Sequence, residues 1–307
     1  MADLPQLIQK AWQQRALLHA AAGQNTYRIF HGFSEGLPGL NIDRYATTAL
    51  ISHPAALHDD LTIITATLLN CHSFDLIVSR PQKQPAKVLR GTAPTIPLEV
   101  LDNHIKFQIE PLAANPGLYL DARPVRTWLK QHSENRRILN LFAHTGSLGL
   151  AASMGQARSV IHVDTQKRSL RRIRNNYQLN NLRIDDRDLV RKNVFTYLRQ
   201  TSARFDGIIL DPPPRLPRLS RQTTKDQNFQ SLIPAVLENL APGGWLLCFF
   251  HRNAPKYLST SADIQKLTSH PLTALWTGTS GDDFPETNPQ AKLRFTVYQI
   301  EVGSLLG

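Results

Sequence analysis

From residue 137 onwards the sequence alternates short apolar runs with longer segments that have helical periodicity. The runs are rich in leucine and β-branched residues, as in RILNLFA, SVIHVD, FDGIILDPPP and GGWLLCFF. The segments between them, such as SLRRIRNNYQLN and FQSLIPAVLENLA, carry apolar residues at the spacing of one helix face. Strands that alternate with helices predict a mostly parallel sheet with crossover helices. A last run, LRFTVYQIEV, predicts one more strand at the end of the chain.

The first 112 residues have a different organisation. Residues 4–22 have helical spacing, YRIF and TALIS predict strands on either side of a Gly/Pro-rich turn, and residues 59–69 predict a helix. FDLIVSR predicts another strand, and PLEVLDNHIKFQIEP predicts a hairpin around Asp102-Asn103. We therefore expect two domains in the 307 residues, a small α+β domain over 1–112 and an α/β domain over 113–307.

The positive charge is unevenly distributed. The chain has a formal net charge of +11, yet residues 1–112 contain 9 basic and 9 acidic side chains. The whole surplus therefore belongs to residues 113–307, which indicates a polyanionic partner such as RNA for that domain. A merely solubilising surface is the alternative explanation.

Several other classes of protein are disfavoured. The two cysteines have no CxxC spacing and the histidines form no HxH or HxxxH pair, so we expect neither a metal site nor a disulfide framework. No apolar run is long enough to cross a membrane, and the N-terminus resembles an amphipathic helix rather than a signal peptide. A cytoplasmic protein without a membrane partner is expected.

Residues at the ends of three predicted strands are candidates for binding a ligand or taking part in a reaction. Gly146 and Gly149 follow the first strand of the α/β domain, but they do not form the GxGxxG fingerprint of dinucleotide sites. Asp164 ends the next strand, where an acid accepts hydrogen bonds from the ribose hydroxyls of a nucleoside cofactor. Asp211 ends a later strand and precedes Pro212 and Pro213, which stiffen the loop that follows.

This combination resembles class I S-adenosylmethionine-dependent methyltransferases. HGFSEGLPGLNIDRY, GLYLDARPVRTWL, LNLFAHTGSLGLAA, VDTQKRSLRRIRNNYQLN, NVF and ILDPPP follow the order seen in a 23S ribosomal RNA methyltransferase family that includes cytosine-C5 and guanine-N7 enzymes. The resemblance covers roughly residues 10–300. It implies a Rossmann-like sheet whose last strand is antiparallel, S-adenosylmethionine as cofactor with S-adenosylhomocysteine as product, and no metal.

The resemblance also implies residue roles. Asp164 would hold the ribose, Asn193 would accept from the adenine amino group, and Asp211 would lie near the transferable methyl. The other implied cofactor-binding residues are Asp121, Arg123, Phe142, Ala143, Gly146 and Ser147. For Asp121 and Arg123, a surface pair at a helix N-terminus is the alternative. The residues expected to take part in catalysis are Asp211, Pro212 and His251.

The chain departs from the family pattern in three places. The PUA domain that begins many members is expected to be absent. His251 stands where the cytosine-C5 enzymes have a nucleophilic cysteine, and Cys248 is expected to be a buried structural thiol. Pro214 and Arg215 stand where amino-group methylases have an aromatic residue that stacks the base. A ring nitrogen such as guanine N7 needs neither group, and it is therefore the favoured target.

RNA contacts are expected in the loop that follows Asp211 and at the end of the next strand, through Arg215, Arg218, Arg221, Lys225 and Arg252. The basic helix KRSLRRIRNN is either a second contact or a solvated surface. Two rival functions stay open: methylation of a small molecule or protein, and an inactive RNA-binding protein of the same fold. The sequence does not define the RNA, the nucleotide or the oligomeric state, with a homodimer among the alternatives.

Overall fold

The computed structural model describes residues 3–213, 229–250, 264–268, 271–288 and 292–300. The chain divides into two compact units. Unit 1 contains Met1–Arg123 and Ser280–Pro289, and unit 2 contains Pro124–Thr279 and Gln290–Gly307.

Unit 1 is an α+β unit built on a five-stranded sheet. Its helices are α1 (Leu4–Gln14), α2 (Ala16–Ala20) and α3 (Leu61–Cys71). Its strands are β1 (Thr26–His31), β2 (Asn41–Tyr45), β3 (Thr48–His53), β4 (Leu76–Pro81), β5 (Lys87–Arg90), β6 (Leu98–Asp102) and β7 (Ile105–Ile109). The sheet has the order β1-β2-β3-β4-β5, with only β3 and β4 parallel, and β6 and β7 form a separate hairpin. Apolar residues of α1 and α3 pack against this sheet, among them Ile8, Ile64 and Leu68.

The predicted hairpin is present, with Asn103 and His104 as its two loop residues. Both have positive φ angles, 53° and 63°, as a two-residue type I′ turn requires. Strand β2 occupies residues that we expected to belong to the Gly/Pro-rich turn.

Unit 1 extends beyond residue 112, the boundary expected from the sequence. A buried ion cluster joins Arg123 and Asp283 to other residues of unit 1. The Arg123 guanidinium donates to Asp102 Oδ1 at 2.9 Å and to both carboxylate oxygens of Asp283 at 3.0 and 3.1 Å. Asp283 also accepts the backbone N–H of Arg28 at 3.0 Å. Residues 113–123 and 280–289 therefore belong structurally with the first domain.

Unit 2 is the expected α/β unit. Its helices are α4 (Arg123–His132), whose first residue belongs to unit 1, α5 (Ser147–Met154), α6 (Lys167–Leu179), α7 (Val194–Gln200) and α8 (Phe229–Glu238). Its strands are β8 (Arg137–Leu141), β9 (Ser159–Asp164), β10 (Leu189–Arg191), β11 (Phe205–Leu210), β12 (Leu240–Phe250), β13 (Leu272–Thr279) and β14 (Arg294–Ile300).

The seven strands have the order β10-β9-β8-β11-β12-β14-β13. The first five are mutually parallel, whereas β14 is antiparallel to both β12 and β13. The predicted Rossmann-like sheet with an antiparallel last strand is thereby confirmed. One face of the sheet packs on α7 and α8 through a buried core that includes Leu198, Ile208, Leu232 and Leu246. No helix among the described residues is long and apolar enough to cross a membrane.

Candidate active site

The carboxyl ends of three neighbouring strands meet at one edge of the large sheet. Strand β8 lies between β9 and β11, and Leu141 of β8 is in register with Val163 of β9 and Leu210 of β11. The chain goes from β8 to one side and later returns to the other, so the strand order reverses at β8. Ligands of open α/β sheets bind at such a switch point. Residues that follow these three strands are therefore the candidates for binding a cofactor.

The turn after β8 has an unusual backbone. Phe142, His144 and Gly146 have positive φ angles of 54°, 50° and 76°, a region that residues other than glycine seldom adopt. Two backbone hydrogen bonds hold the turn: Ala143 N–H donates to Val163 O at 3.1 Å, and Gly146 N–H donates to Ala143 O at 2.7 Å. Such uncommon backbone conformations concentrate at functional sites. The turn holds four of the predicted cofactor residues: Phe142, Ala143, Gly146 and Ser147.

The carboxylate of Asp164 is fixed by two backbone amides. Its Oδ2 accepts from His144 N–H at 2.8 Å, and its Oδ1 accepts from Gln166 N–H at 2.9 Å. Asp164 is partly exposed. Because a carboxylate oxygen can accept two hydrogen bonds, each oxygen keeps one accepting position for another donor. The arrangement suits a carboxylate that receives a pair of hydroxyl groups.

His144 also belongs to this site, although it is not among the residues predicted from the sequence. Burial lowers its pKa most, the positive charge of Arg172 lowers it further, and the negative charges of Asp164 and Asp211 act in the opposite direction. His144 is therefore a neutral imidazole at pH 7, in the electrostatic field of both predicted carboxylates. Its position directly after Ala143 in the turn was the available signal.

The structure gives both glycines of this segment a packing role. A Cβ on Gly149 would lie 2.4 Å from Cε1 of the buried His162, and one on Gly146 would lie 2.8 Å from Ile173. Gly146 also precedes the first residue of α5 and has left-handed backbone. The glycines therefore let α5 approach the sheet closely and shape the turn.

A buried polar network lies beneath this turn. The two ring nitrogens of His162 are 3.2 Å from Asn140 Nδ2 and 2.9 Å from the Tyr177 hydroxyl, which in turn lies 2.6 Å from Ser153 Oγ. Burial lowers the pKa of His162 to about 3 and raises the pKa of Tyr177. From α6, the buried Asn176 donates to Thr145 O at 3.0 Å. The network and this bond connect the sheet and α6 to the turn.

Asp211 and Pro212 follow β11 directly. Asp211 is partly exposed, whereas Pro212 is buried. On the neighbouring strand, Cys248 pairs with Leu210 and is 2% exposed. Burial raises the pKa of its thiol, so Cys248 is a protonated core residue rather than a thiolate nucleophile.

The remaining predicted cofactor residues have contacts of their own. The side-chain oxygen of Asn193 accepts Thr196 N–H at 3.3 Å and so caps α7. A carbonyl oxygen can accept a second hydrogen bond, so this contact leaves its predicted role possible. Asp121 lies in a 3₁₀ turn of unit 1, and Arg123 forms ion pairs with Asp102 and Asp283 of the same unit. The alternative of a surface pair is wrong for Arg123, because its guanidinium is largely buried.

Six predicted residues lie outside the described part of the chain. They are His251, Arg215, Arg218, Arg221, Lys225 and Arg252. Over the described residues, no group of three or more His, Cys, Asp or Glu side chains is arranged to hold a metal ion.

One curated relative is similar to most of this chain. Ribosomal RNA large subunit methyltransferase I of Yersinia pseudotuberculosis is 30% identical over 257 residues, which are 79% of this chain and 65% of that protein. The chain thus spans just under two thirds of that relative's length.

Two solved structures share the fold. One is a candidate S-adenosylmethionine-dependent methyltransferase from Streptococcus mutans, with a TM-score of 0.87 and 22% identity over 96% of this chain and 80% of that one. The other is a candidate methyltransferase in complex with S-adenosylhomocysteine, with a TM-score of 0.85, 23% identity and the same coverage of both chains. Residues 61–299 match the S-adenosylmethionine-dependent methyltransferase family, and the chain belongs to that family.

Proposed function

We propose that this protein is an S-adenosylmethionine-dependent RNA methyltransferase that modifies a base of large-subunit ribosomal RNA in the cytoplasm. The observation that carries the proposal is the convergence of the Phe142–Gly146 turn, Asp164 and Asp211 at one switch point. The surplus of basic residues after residue 112 supports a polyanionic substrate. The name of the Yersinia pseudotuberculosis relative supports ribosomal RNA as that substrate.

The residues at the switch point fit S-adenosylmethionine. Asp164 offers an anchored carboxylate with free accepting positions, as a ribose needs. The turn from residue 142 to residue 147 lies at the same strand ends, and its backbone has positive φ at Phe142, His144 and Gly146. When bound, the cofactor supplies an electrophilic methyl group on a sulfonium. Of the remaining predicted residues, we assign Asn193 to the adenine end of the cofactor.

The protein's part in the reaction is to position the target base against the methyl group of the cofactor. Pro212 is buried and restrains the backbone that carries Asp211, so the carboxylate is held at the edge beside the turn. Asp211 is proposed to orient the target base at the methyl site. A neutral His144 adds no positive charge there that would oppose a sulfonium. Positioning of a nucleophile against a reactive methyl accounts for catalysis without a covalent intermediate.

The target is proposed to be a ring nitrogen such as guanine N7. Cytosine C5 would need a thiolate, and Cys248 is buried in β12 with a raised pKa. Position 251 holds histidine instead of cysteine. The side chains of His251, Arg252 and the basic residues Arg215, Arg218, Arg221 and Lys225 are proposed to contact the RNA.

Transfer of tritiated methyl groups from S-adenosylmethionine to RNA tests the proposal. The substrate is total RNA from cells that lack the protein, and RNA from wild-type cells is the control. Label in the first RNA alone is expected, and digestion to nucleosides then identifies the modified base. Label in 5-methylcytosine would overturn the argument from Cys248. If neither RNA is labelled although the cofactor binds tightly, a small molecule or protein substrate would be favoured. Weak cofactor binding would favour an inactive RNA-binding protein.

A further inference from the structure

A group of exposed basic residues lies beside Asp164 on unit 2. We call it the β9–β10 basic patch, and it consists of Lys167, Arg171, Arg191 and Lys192. Lys167 and Arg171 lie in the first turns of α6, Arg191 is the last residue of β10, and Lys192 follows it. The basic sequence of α6 fits either contact with RNA or simple exposure to solvent.

Backbone geometry brings the two parts of the patch together. Arg191 is in register with Asp164 across the parallel β10–β9 pair. The Arg191 Nε donates to Thr165 O at 3.2 Å, in the short loop between β9 and α6. Because α6 begins at Lys167, the patch borders the strand end that carries the predicted ribose ligand.

Two acidic side chains that precede β10 are paired with arginines outside the patch. Asp185 pairs with Arg187 at 2.7 Å, and Asp186 pairs with Arg174 at 2.5 Å, so both acids are engaged by arginines outside it. Asp164 receives two backbone amides. Lys167 and Arg171 are four residues apart and lie on one exposed side of α6. The patch therefore carries a surplus of positive charge next to the candidate active site.

We propose that the β9–β10 basic patch binds phosphates of the RNA strand that flanks the modified nucleotide. The inference rests on the proposed function and adds a surface to it. Exposed lysine and arginine side chains bind the phosphate backbone without sequence preference and fix the position of the strand. The base itself would then be selected at Asp211, which follows β11, on the other side of β8 from β9.

The test compares two double variants with the same change in charge. K167Q/R171Q removes two cations of the patch. R158Q/R199Q removes two exposed cations at the opposite edge, where Arg158 precedes β9 and Arg199 lies in the last turn of α7. Binding of a fluorescently labelled single-stranded RNA is measured as a function of salt concentration. Methyl transfer to RNA and the affinity for S-adenosylhomocysteine are measured alongside.

For K167Q/R171Q we expect a weaker salt dependence, with the log–log slope reduced by about 0.7 for each lost phosphate contact. We also expect a raised KM for RNA with kcat and S-adenosylhomocysteine affinity unchanged. R158Q/R199Q is expected to behave like the wild type. Equal slopes for the two variants would overturn the inference even if the wild type methylates RNA. A wild type that transfers no methyl group to RNA would instead contradict the proposed function.

Discussion

The Asp164 carboxylate accepts the backbone N–H of His144, with 2.8 Å between Oδ2 and N. This bond joins the end of β9 to the left-handed turn after β8, so one side chain both shapes the turn and faces the candidate cofactor site. A carboxylate at this point therefore has a structural effect and a binding effect that can be separated by substitution.

Substitution of Asp164 is expected to weaken cofactor binding. Loss of a hydrogen bond to a charged group costs about 1.5–3 kcal/mol, so D164A should weaken S-adenosylhomocysteine binding roughly ten- to a hundredfold. D164N keeps the shape of the side chain and an acceptor for His144 N–H, and it should lose affinity with less effect on stability. Isothermal titration calorimetry gives the affinity, and D185A is the control at an exposed acid. Unchanged affinity in D164A would contradict the assignment of Asp164 to the ribose.

Replacement of Gly149 by alanine is expected to destabilise unit 2. Alanine usually favours a helix, but here its Cβ would lie 2.4 Å from Cε1 of His162 and 3.0 Å from Asn140 Nδ2. His162 is held by contacts at both ring nitrogens, so it cannot move away without losing one of them. Overpacking of this kind costs about 1–3 kcal/mol.

A double-mutant cycle isolates that contact. In an H162A background, which opens space next to α5, G149A should be neutral or stabilising in urea unfolding. If G149A is equally destabilising in both backgrounds, the close approach of α5 to His162 is not the reason for glycine at position 149.

The regular features of the sequence predicted most of the fold and the sheet edge at which the candidate residues meet. Strong alternation of apolar strands and helices indicated the parallel sheet, and acids placed directly after strands had to meet at its carboxyl edge. Strand β10 is only three residues long, and the edge strand β13 is half exposed, so neither has a clear apolar pattern. The neighbouring Ala143 placed His144 near the site, but its contact with Asp164 depends on the positive φ angles of the turn, which no sequence pattern states.

The ion cluster of unit 1 could not be predicted for another reason. Arg123 and Asp283 are 160 residues apart, and no local pattern relates them. Their side chains are 13% and 0% exposed. The pairing is therefore a product of tertiary structure, and it places Ser280–Pro289 with the first domain.

Removal of the Asp283 carboxylate is expected to destabilise unit 1 strongly. D283A leaves the largely buried Arg123 with Asp102 as its remaining ion-pair partner among the described contacts, and it also removes the acceptor of Arg28 N–H. Breaking a buried ion pair from one side costs about 3–5 kcal/mol. Urea unfolding measures the change, and D282A is the matched control because Asp282 is the exposed neighbour. Equal stability of the two variants would show that the cluster contributes little.

The pH dependence of stability provides a test of the buried network around His162. Burial lowers the pKa of His162 from 6.5 to about 3, so below pH 6.5 the unfolded chain takes up a proton that the folded protein does not. The free energy of unfolding should then fall as the pH falls from 6.5 towards 3, by up to about 1.4 kcal/mol per pH unit from this residue.

The variant H162Q has no titrating group at this position, so its stability should decline less steeply over the same range. Chemical denaturation of both proteins between neutral pH and about pH 4 gives the two slopes, and the other histidines contribute equally to each. Parallel slopes would mean that His162 takes up its proton in the folded protein as readily as in the unfolded chain. In that case Asn140 and Tyr177 would not hold it as a neutral ring, and the network beneath the turn would be open to water.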